Sequence, residues 1–176
     1  MSDSVTNIVV AGLGGQGAIT ASDIIAEAAF LAGFDVKKSE IHGMSQRGGS
    51  VTSDVRFGSR VYSPMVPEGE ADYLVVLDPS QTALTRHVLR PSGRLITPEV
   101  FFDEDKGVSD IDDLDADDAI PVTKRTLNTA LLGVVSTYLD IPPAAWVDAI
   151  RASVAERYLD GNVKAFYYGR GSHGGL

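Results

Sequence analysis

A chain of 176 residues with 44% hydrophobic and 22% charged residues has the composition of one globular domain with a substantial core. Its net charge of −9 argues against a general nucleic-acid-binding protein, and the lack of cysteine excludes disulfides, thiolate nucleophiles and cysteine-ligated iron–sulfur clusters within the chain. No apolar run could span a membrane, no signal-peptide pattern is present and the three histidines lack metal-ligand spacing, so we expect a cytoplasmic protein with no metal site and no membrane contact.

The first predicted unit is a strand, a glycine-rich turn and a helix. Residues 7–10 end in the apolar run Ile-Val-Val, which suits a buried strand, and apolar residues recur at helical spacing over residues 18–32. The candidate ligand-binding residues of the turn are Gly12, Gly14, Gly15, Gln16 and Gly17. Such a turn lets backbone N–H groups approach an anion, and the helix N-terminus adds about half a positive charge. The alternative interpretation is that the glycines only permit tight packing.

The same turn also fits the G-x-G-x-x-G spacing of dinucleotide-binding folds. In those folds an acidic residue about twenty positions further on binds the ribose, whereas this chain has Lys37 and Lys38 there. Lysines suit a phosphate better than a ribose diol. A free-standing nucleotide-binding module or NAD(P)-dependent reductase remains an alternative function, and a purely structural subunit is a third.

The remaining chain alternates between predicted strands and helices. We predict strands at residues 35–39, 74–77, 94–97 and 119–123, helices at residues 79–89, 127–139 and 146–158, and a β-hairpin that pairs residues 51–57 with residues 60–63 across Gly58-Ser59. This order predicts an α/β fold, with a single doubly wound, mainly parallel, Rossmann-like sheet and an inserted β-hairpin. One domain is expected to cover residues 1–176.

An acidic stretch interrupts this pattern. Residues 101–120 contain nine acids and a single base, Lys106. The acids do not keep the alternating ligand positions and central glycine of a calcium loop. Because like charges repel and few apolar residues offset the cost of ordering, residues 103–118 are expected to form a mobile, solvated excursion. Residues 170–176 are expected to form a flexible tail.

A second glycine-rich loop follows the predicted second strand. It carries the candidate catalytic residues Glu40, His42 and Arg47, and its candidate ligand-binding glycines are Gly43, Gly48 and Gly49. Open α/β sheets bind ligands beyond the C-terminal ends of strands, and the Arg47 guanidinium suits a carboxylate or phosphate. Glu40 could orient His42 or pair with Arg47. Equally, Glu40 and Arg47 could form a structural ion pair while His42 caps a turn.

The two loops together carry a specific resemblance. The sequence G-L-G-G-Q-G at residues 12–17, followed by E-x-H-G-x-x-x-R-G-G at residues 40–49, resembles the gamma-type component of the 2-oxoacid:ferredoxin oxidoreductases. Within that family it is most similar to the small (beta) subunit of indolepyruvate ferredoxin oxidoreductase. The likeness continues at residues 61–64, 68–72, 128–133 and 162–169, and so covers nearly the whole chain.

The resemblance implies oxidative decarboxylation of a 2-oxoacid to an acyl-coenzyme A, with electrons passing to ferredoxin. Enzymes of this family use thiamine diphosphate and iron–sulfur clusters, whereas this chain has neither a cysteine nor a recognisable thiamine-binding motif. The chain is therefore expected to be a non-redox subunit that binds neither cofactor alone and is inactive alone. A larger partner subunit would carry thiamine diphosphate and the clusters and would pass electrons to ferredoxin. Coenzyme A is the candidate shared co-substrate at the glycine turn.

Two segments are candidate contacts with another chain, either the catalytic partner or a second copy. They are the predicted hairpin at residues 51–63 and the aromatic run Ala165-Phe166-Tyr167-Tyr168, which lies beyond the last predicted helix. Aromatic residues are enriched in interfaces. The alternative is that these rings close the core.

Overall fold

The structure is a computed structural model that describes residues 4–42, 49–115 and 120–173. The regular elements are, in chain order, β1 (Thr6–Leu13), α1 (Ala18–Leu31), β2 (Asp35–His42), β3 (Ser50–Gly58), β4 (Ala71–Val76), α2 (Thr82–Thr85), β5 (Leu89–Ile96), α3 (Leu127–Ser136), α4 (Pro143–Ser153) and α5 (Glu156–His173). Short 3₁₀ turns lie on either side of α2 and in the segment between β5 and α3. In the described part of the chain, no helix is both long and apolar enough to cross a membrane.

The five strands form one sheet in the order β2–β3–β1–β4–β5. β1 pairs in parallel with β4, and β4 pairs in parallel with β5, whereas β3 is antiparallel to both β1 and β2. Four strands therefore run in one direction and β3 runs in the other. This confirms the predicted α/β fold with a mainly parallel sheet.

The predicted β-hairpin is wrong, because its second strand does not form. β3 forms where alternation predicted it, but residues 60–63, all of them described, form no strand. Both edges of β3 are occupied, by β1 and by β2, so no edge is left for a returning strand. Residues 59–70 instead cross the sheet, and side chains of the sheet bind their backbone. Asp35 Oδ2 accepts a hydrogen bond from Val61 N at 2.8 Å, and Asp54 Oδ2 accepts one from Val66 N at 2.8 Å.

The two faces of the sheet are covered differently. The long helices α1, α3, α4 and α5 all contribute to the core on one face, where Trp146 and Phe166 are fully buried. The other face buries a smaller cluster around Leu74 and Val76, which is covered by Val66 and by residues that flank α2. The helical face therefore holds most of the core, and its helices position the site described below.

Several predicted boundaries are corrected by the structure. The predicted helix at residues 146–158 is two helices, because Val154 is extended (φ −119°, ψ 151°) and separates α4 from α5. α5 continues to His173, so it includes the aromatic run and residues 170–173, which were expected in a flexible tail. The helix predicted at residues 79–89 is only the short α2 between two 3₁₀ turns, and residues 120–123 form no strand.

The acidic stretch is more closely packed than its charge predicts. Over residues 103–115, Val108 and Leu114 are only 2% and 3% exposed and belong to the main core. Asp103 and Val108 form an isolated antiparallel bridge. The expectation of little apolar burial is therefore wrong for this part. The mobility of the segment stays a prediction, and residues 116–119 lie outside the described residues.

Candidate functional site

The turn between β1 and α1 depends on its glycines. Gly15 (φ +88°) and Gly17 (φ +85°) adopt left-handed conformations that other residues rarely reach. A Cβ on Gly12 would lie 3.2 Å from Gln16 Oε1 and 3.3 Å from Leu77 Cβ, so this glycine leaves room for the Gln16 side chain to fold back. The spacing recognised in the sequence is thus explained by backbone conformation and close packing.

The amide of Gln16 bridges the turn to the end of β4. Its Oε1 accepts a hydrogen bond from Leu13 N at 2.8 Å, and its Nε2 donates one to Asp78 Oδ2 at 2.7 Å. Asp78 also caps the 3₁₀ turn Pro79–Gln81, where its Oδ1 accepts from Ser80 Oγ at 2.6 Å and from Ser80 N at 3.0 Å. The Ser80 hydroxyl, followed by the Gln16 amide, holds the pKa of Asp78 below its ordinary value.

A cavity of about 900 Å³ lies beside the turn, where three helices begin. It is lined by residues at the starts of α1, α3 and α5. α3 and α5 run in the same direction, because Thr129 bonds to Asn162 near their beginnings and Ser136 bonds to Arg170 near their ends. The lining therefore includes the N-terminal ends of α1, α3 and α5, which carry partial positive charge, and also the C-terminal end of α4 at Ser153 and Val154.

Buried polar side chains fix the relative positions of these helix starts. Asn128 Nδ2 donates to Gly17 O at 3.3 Å, which joins α3 to the cap of α1. Thr129 Oγ1 donates to Asn162 Oδ1 at 2.6 Å, and Asn162 Nδ2 donates to Tyr158 O at 2.9 Å. A Cβ on Gly17 would lie 2.5 Å from Asn128 Nδ2, so the close approach gives a second reason for glycine there.

The described lining of the cavity carries positive charge. It includes Lys124, Arg125 and Arg157 and no acidic side chain. Lys124 Nζ forms a surface ion pair with Asp112 Oδ1 at 2.7 Å, and this hydrogen bond raises the pKa of Lys124. The Arg157 guanidinium lies 4.8 Å from the ring centroid of Tyr158. Cations together with helix N-termini suit a ligand that carries phosphate or carboxylate groups.

The second loop is described only in part. Glu40 lies on β2, where Lys38 bonds both to it and to Asp23 of α1. His42 is the last residue of β2, and its side chain lies outside the described part of the structure. The predicted site residues Gly43, Arg47 and Gly48 also lie outside the described residues.

A backbone hydrogen bond joins the glycine turn to the described end of the second loop. Gly14 N donates to Gly49 O at 2.9 Å. The glycine turn and the end of the second loop are therefore adjacent, as expected of segments at the same edge of a sheet.

Comparison with known proteins identifies the family. Residues 7–172 match the family model described as pyruvate ferredoxin/flavodoxin oxidoreductase. The chain belongs to this family.

Curated relatives of this oxidoreductase family resemble nearly the full chain. The indolepyruvate oxidoreductase subunit IorB of Thermococcus kodakarensis is 35% identical over an alignment of 188 positions, gaps included, which covers 93% of each chain. The IorB subunit of Methanothermobacter thermautotrophicus is 30% identical over an alignment of 190 positions, gaps included, which covers 94% of this chain and 96% of the relative. The resemblance to the gamma-type component of the 2-oxoacid:ferredoxin oxidoreductases is confirmed.

Solved structures show the same fold. The gamma subunit of keto/oxoacid ferredoxin oxidoreductase from Geobacter sulfurreducens has a TM-score of 0.74 at 24% identity, with 97% of this chain and 99% of that chain covered. The 2-oxoglutarate:ferredoxin oxidoreductase from Magnetococcus marinus, with 2-oxoglutarate, coenzyme A and succinyl-CoA bound, has a TM-score of 0.79 at 20% identity. That match covers 99% of this chain and 32% of the Magnetococcus chain. The family fold thus occurs both as a separate chain and as part of a longer one.

Sequence reasoning missed the three cations that line the cavity. A signal existed for two of them, because Lys124 and Arg125 directly precede the helix predicted from residue 127. Arg157 lay inside a predicted helix and gave no signal. Asn128 and Asn162 fell in the segments that carried the family resemblance, but no role was assigned to them.

The aromatic run contributes mainly to the core. Phe166 is fully buried and stacks on Trp146 with ring centroids 5.9 Å apart, and Tyr168 packs against Phe101 at 6.0 Å. Tyr167 alone of the three is largely exposed, at 49%. Phe166 is therefore excluded as a contact with another chain in this conformation, and a contact through Tyr167 stays a prediction.

Proposed function

We propose that this family member is the small, non-redox subunit of a thiamine-dependent 2-oxoacid:ferredoxin oxidoreductase. The similarity to IorB subunits along the whole chain supports indolepyruvate, or a related aryl or branched 2-oxoacid, as the substrate of the complex. Because the chain has no cysteine, it offers no thiolate ligand for an iron–sulfur cluster. A larger partner subunit would hold the clusters and thiamine diphosphate, which supplies the electron sink for decarboxylation when bound.

The cavity at the three helix N-termini is the observation that carries this proposal. Coenzyme A bears phosphate groups, and a neighbour of the same fold contains coenzyme A. The phosphates would face Lys124, Arg125 and Arg157 and the helix starts. In this role the chain binds and orients coenzyme A, which accepts the acyl group, while the partner subunit carries the redox chemistry.

The strand order disfavours the alternative of an NAD(P)-dependent reductase. In a dinucleotide-binding fold the strand after the first helix lies directly beside β1 and carries the ribose-binding acid. Here β3 lies between β1 and β2, which places β2 roughly 10 Å from β1 at the usual strand spacing. Lys37 pairs with Asp35, and Lys38 pairs with the acids of α1 and β2, so the described structure gives both lysines local partners.

The KM for coenzyme A in the complex reconstituted with its partner tests the ligand assignment. Lys124→Gln and Arg157→Gln should each raise this KM about tenfold or more, because a hydrogen bond to a charged group contributes about 1.5–3 kcal/mol. Lys164→Gln is the matched control, since Lys164 pairs with Asp160 on the exposed side of α5. An unchanged KM in both cavity variants would overturn the assignment.

Dependence on the partner is tested separately. The purified chain should reduce no dye acceptor with any 2-oxoacid, and addition of the partner subunit should restore 2-oxoacid-dependent reduction. Turnover by the chain alone would contradict its role as a non-redox subunit.

A further inference from the structure

Two series of hydrogen bonds end on the carboxylate of Asp78. The first runs from Leu13 N to Gln16 Oε1 and from Gln16 Nε2 to Asp78 Oδ2. It links the last residue of β1 to the end of β4 through the glycine turn.

The second series begins on β3. Ser50 Oγ donates to Gln81 Oε1 at 2.7 Å, Gln81 Nε2 donates to Ser80 Oγ at 3.2 Å, and Ser80 Oγ donates to Asp78 Oδ1 at 2.6 Å. We call Leu13, Gln16, Ser50, Asp78, Ser80 and Gln81 the Asp78 network. Gly14, which follows Leu13, donates from its N–H to the carbonyl oxygen of Gly49, which precedes Ser50. This backbone bond joins the starting points of the two series and closes the network into a ring.

We propose that Asp78 is a positioning residue that holds the glycine turn and the beginning of β3 in the arrangement that receives the anionic ligand. The inference rests on the proposed function, in which Gly15, Gln16 and Gly17 line the binding cavity. Nothing in the sequence resemblance assigns a role to Asp78. Its carboxylate does not line the described cavity, so it acts through Gln16.

The direction of the hydrogen bonds explains why a carboxylate is required. In both series every donor points towards Asp78, and each of its oxygens accepts from a different series. An amide has only one acceptor oxygen, so Asn at this position would bring an N–H group against one of the two donors. Gln81 is only 5% exposed, so the bond from Ser50 to Gln81 is partly shielded from competing water, whereas Ser80 and its bond to Asp78 are exposed.

A paired substitution tests the proposal in the reconstituted complex. Gln16→Glu keeps the acceptor for Leu13 N but sets a second carboxylate against Asp78, and it should raise the KM for coenzyme A about five- to tenfold with a smaller change in kcat. Asp78→Asn alone should have a similar effect. The double variant Gln16→Glu/Asp78→Asn restores a complementary pair, with Asn Nδ2 donating to the new carboxylate, and should have a lower KM than Gln16→Glu alone. The KM should stay above the wild-type value, because the new carboxylate lines the cavity and repels an anionic ligand.

A control and a second readout complete the test. Asp72→Asn changes a carboxylate at the other end of β4, where Asp72 Oδ2 accepts from Asn7 N, and should leave this KM unchanged. Hydrogen exchange of the Leu13 amide should accelerate in both single variants and recover in the double variant. The positioning role would be overturned if the Leu13 amide exchanged as fast in the double variant as in the single variants, or if the KM of the double variant were no lower than that of Gln16→Glu. Recovery of exchange, combined with no effect of Lys124→Gln and Arg157→Gln on the KM, would instead show that the coenzyme A assignment is wrong.

Discussion

The crossing of α3 and α5 predicts that alanine substitutions at two glycines of α5, Gly169 and Gly161, change the stability of the chain in opposite directions. At Gly169, an added Cβ would lie 1.9 Å from the carbonyl oxygen of Ala130, and at Gly133 it would lie 2.0 Å from that of Phe166. Since carbon and oxygen atoms in close contact lie about 3.3–3.6 Å apart, the helices would have to separate by about 1.3 Å or more at this point. Gly161, also on α5, has no atom within 4 Å of the added Cβ.

The magnitudes follow from these distances. Overpacking costs about 1–3 kcal/mol, and the clash with rigid backbone on a fully buried helix places Gly169→Ala near the upper limit. Replacing glycine within a helix returns about 1 kcal/mol, so the net loss in the free energy of unfolding should be about 2 kcal/mol. For a chain of this size the loss lowers Tm by about 4–8 °C. Gly161→Ala removes the cost of a glycine within a helix and creates no clash, so it should stabilise the chain by about 0.5–1 kcal/mol.

Urea unfolding of the purified chain, monitored by circular dichroism, measures the free energy of unfolding of each variant, and a thermal melt measures its Tm. Gly133→Ala should behave like Gly169→Ala. The reasoning would be refuted if Gly169→Ala were as stable as the wild type, or if it matched Gly161→Ala. Either result would mean that the two helices are not in backbone contact at this crossing.

Three further predictions concern single side chains. The Ser80 hydroxyl lowers the pKa of Asp78 in the folded chain, so the stability that this carboxylate contributes is present above the unfolded pKa near 3.8 and is lost as the pH falls through the folded pKa. Between about pH 6 and about pH 3, the free energy of unfolding should therefore fall less steeply in Asp78→Asn than in the wild type. Asp112→Asn releases Lys124 from an exposed ion pair of at most about 1 kcal/mol, so calorimetry should show coenzyme A affinity rising by up to about fivefold, and weaker binding would contradict the placement of the ligand. Arg170→Ala removes the charged donor from two buried acceptors at the end of α3 and should lower the free energy of unfolding by about 1.5–3 kcal/mol, whereas no loss would mean that residues 170–173 behave as the flexible tail predicted from sequence.

Local patterns in the sequence predicted the local structure well. The run from residue 7 to residue 32 contains its strand, turn and helix signals within one continuous stretch, and the structure follows them. Strand pairing is not local. The alternation of β3 was visible, but its pairing with β1 depends on contacts between residues far apart in the chain, such as Asn7 with Arg56. A tight turn at Gly58-Ser59 suggested a nearer partner that the sheet does not use.

The cavity and the acidic segment escaped sequence analysis for related reasons. Lys124 and Arg157 come together only because α3 and α5 start side by side, which no spacing along the chain encodes. In the acidic segment the charges outnumber Val108 and Leu114, yet these two apolar residues decide its path because the core has room for them. The break at Val154 contains neither glycine nor proline and therefore carries none of the usual signals for the end of a helix.

The strand order also constrains which strands can pair first as the chain leaves the ribosome. Residues 4–58 contain β2, β3 and β1 in direct sheet contact, together with α1, so an antiparallel unit with one covering helix can form first. The outer edge of β1, with the apolar residues Val9 and Val10, has no partner until β4 is synthesised. At ordinary rates of translation the residues up to Val76 follow within about 1–4 s. During that interval β1 is an apolar edge strand, the kind of surface on which nascent chains associate with one another.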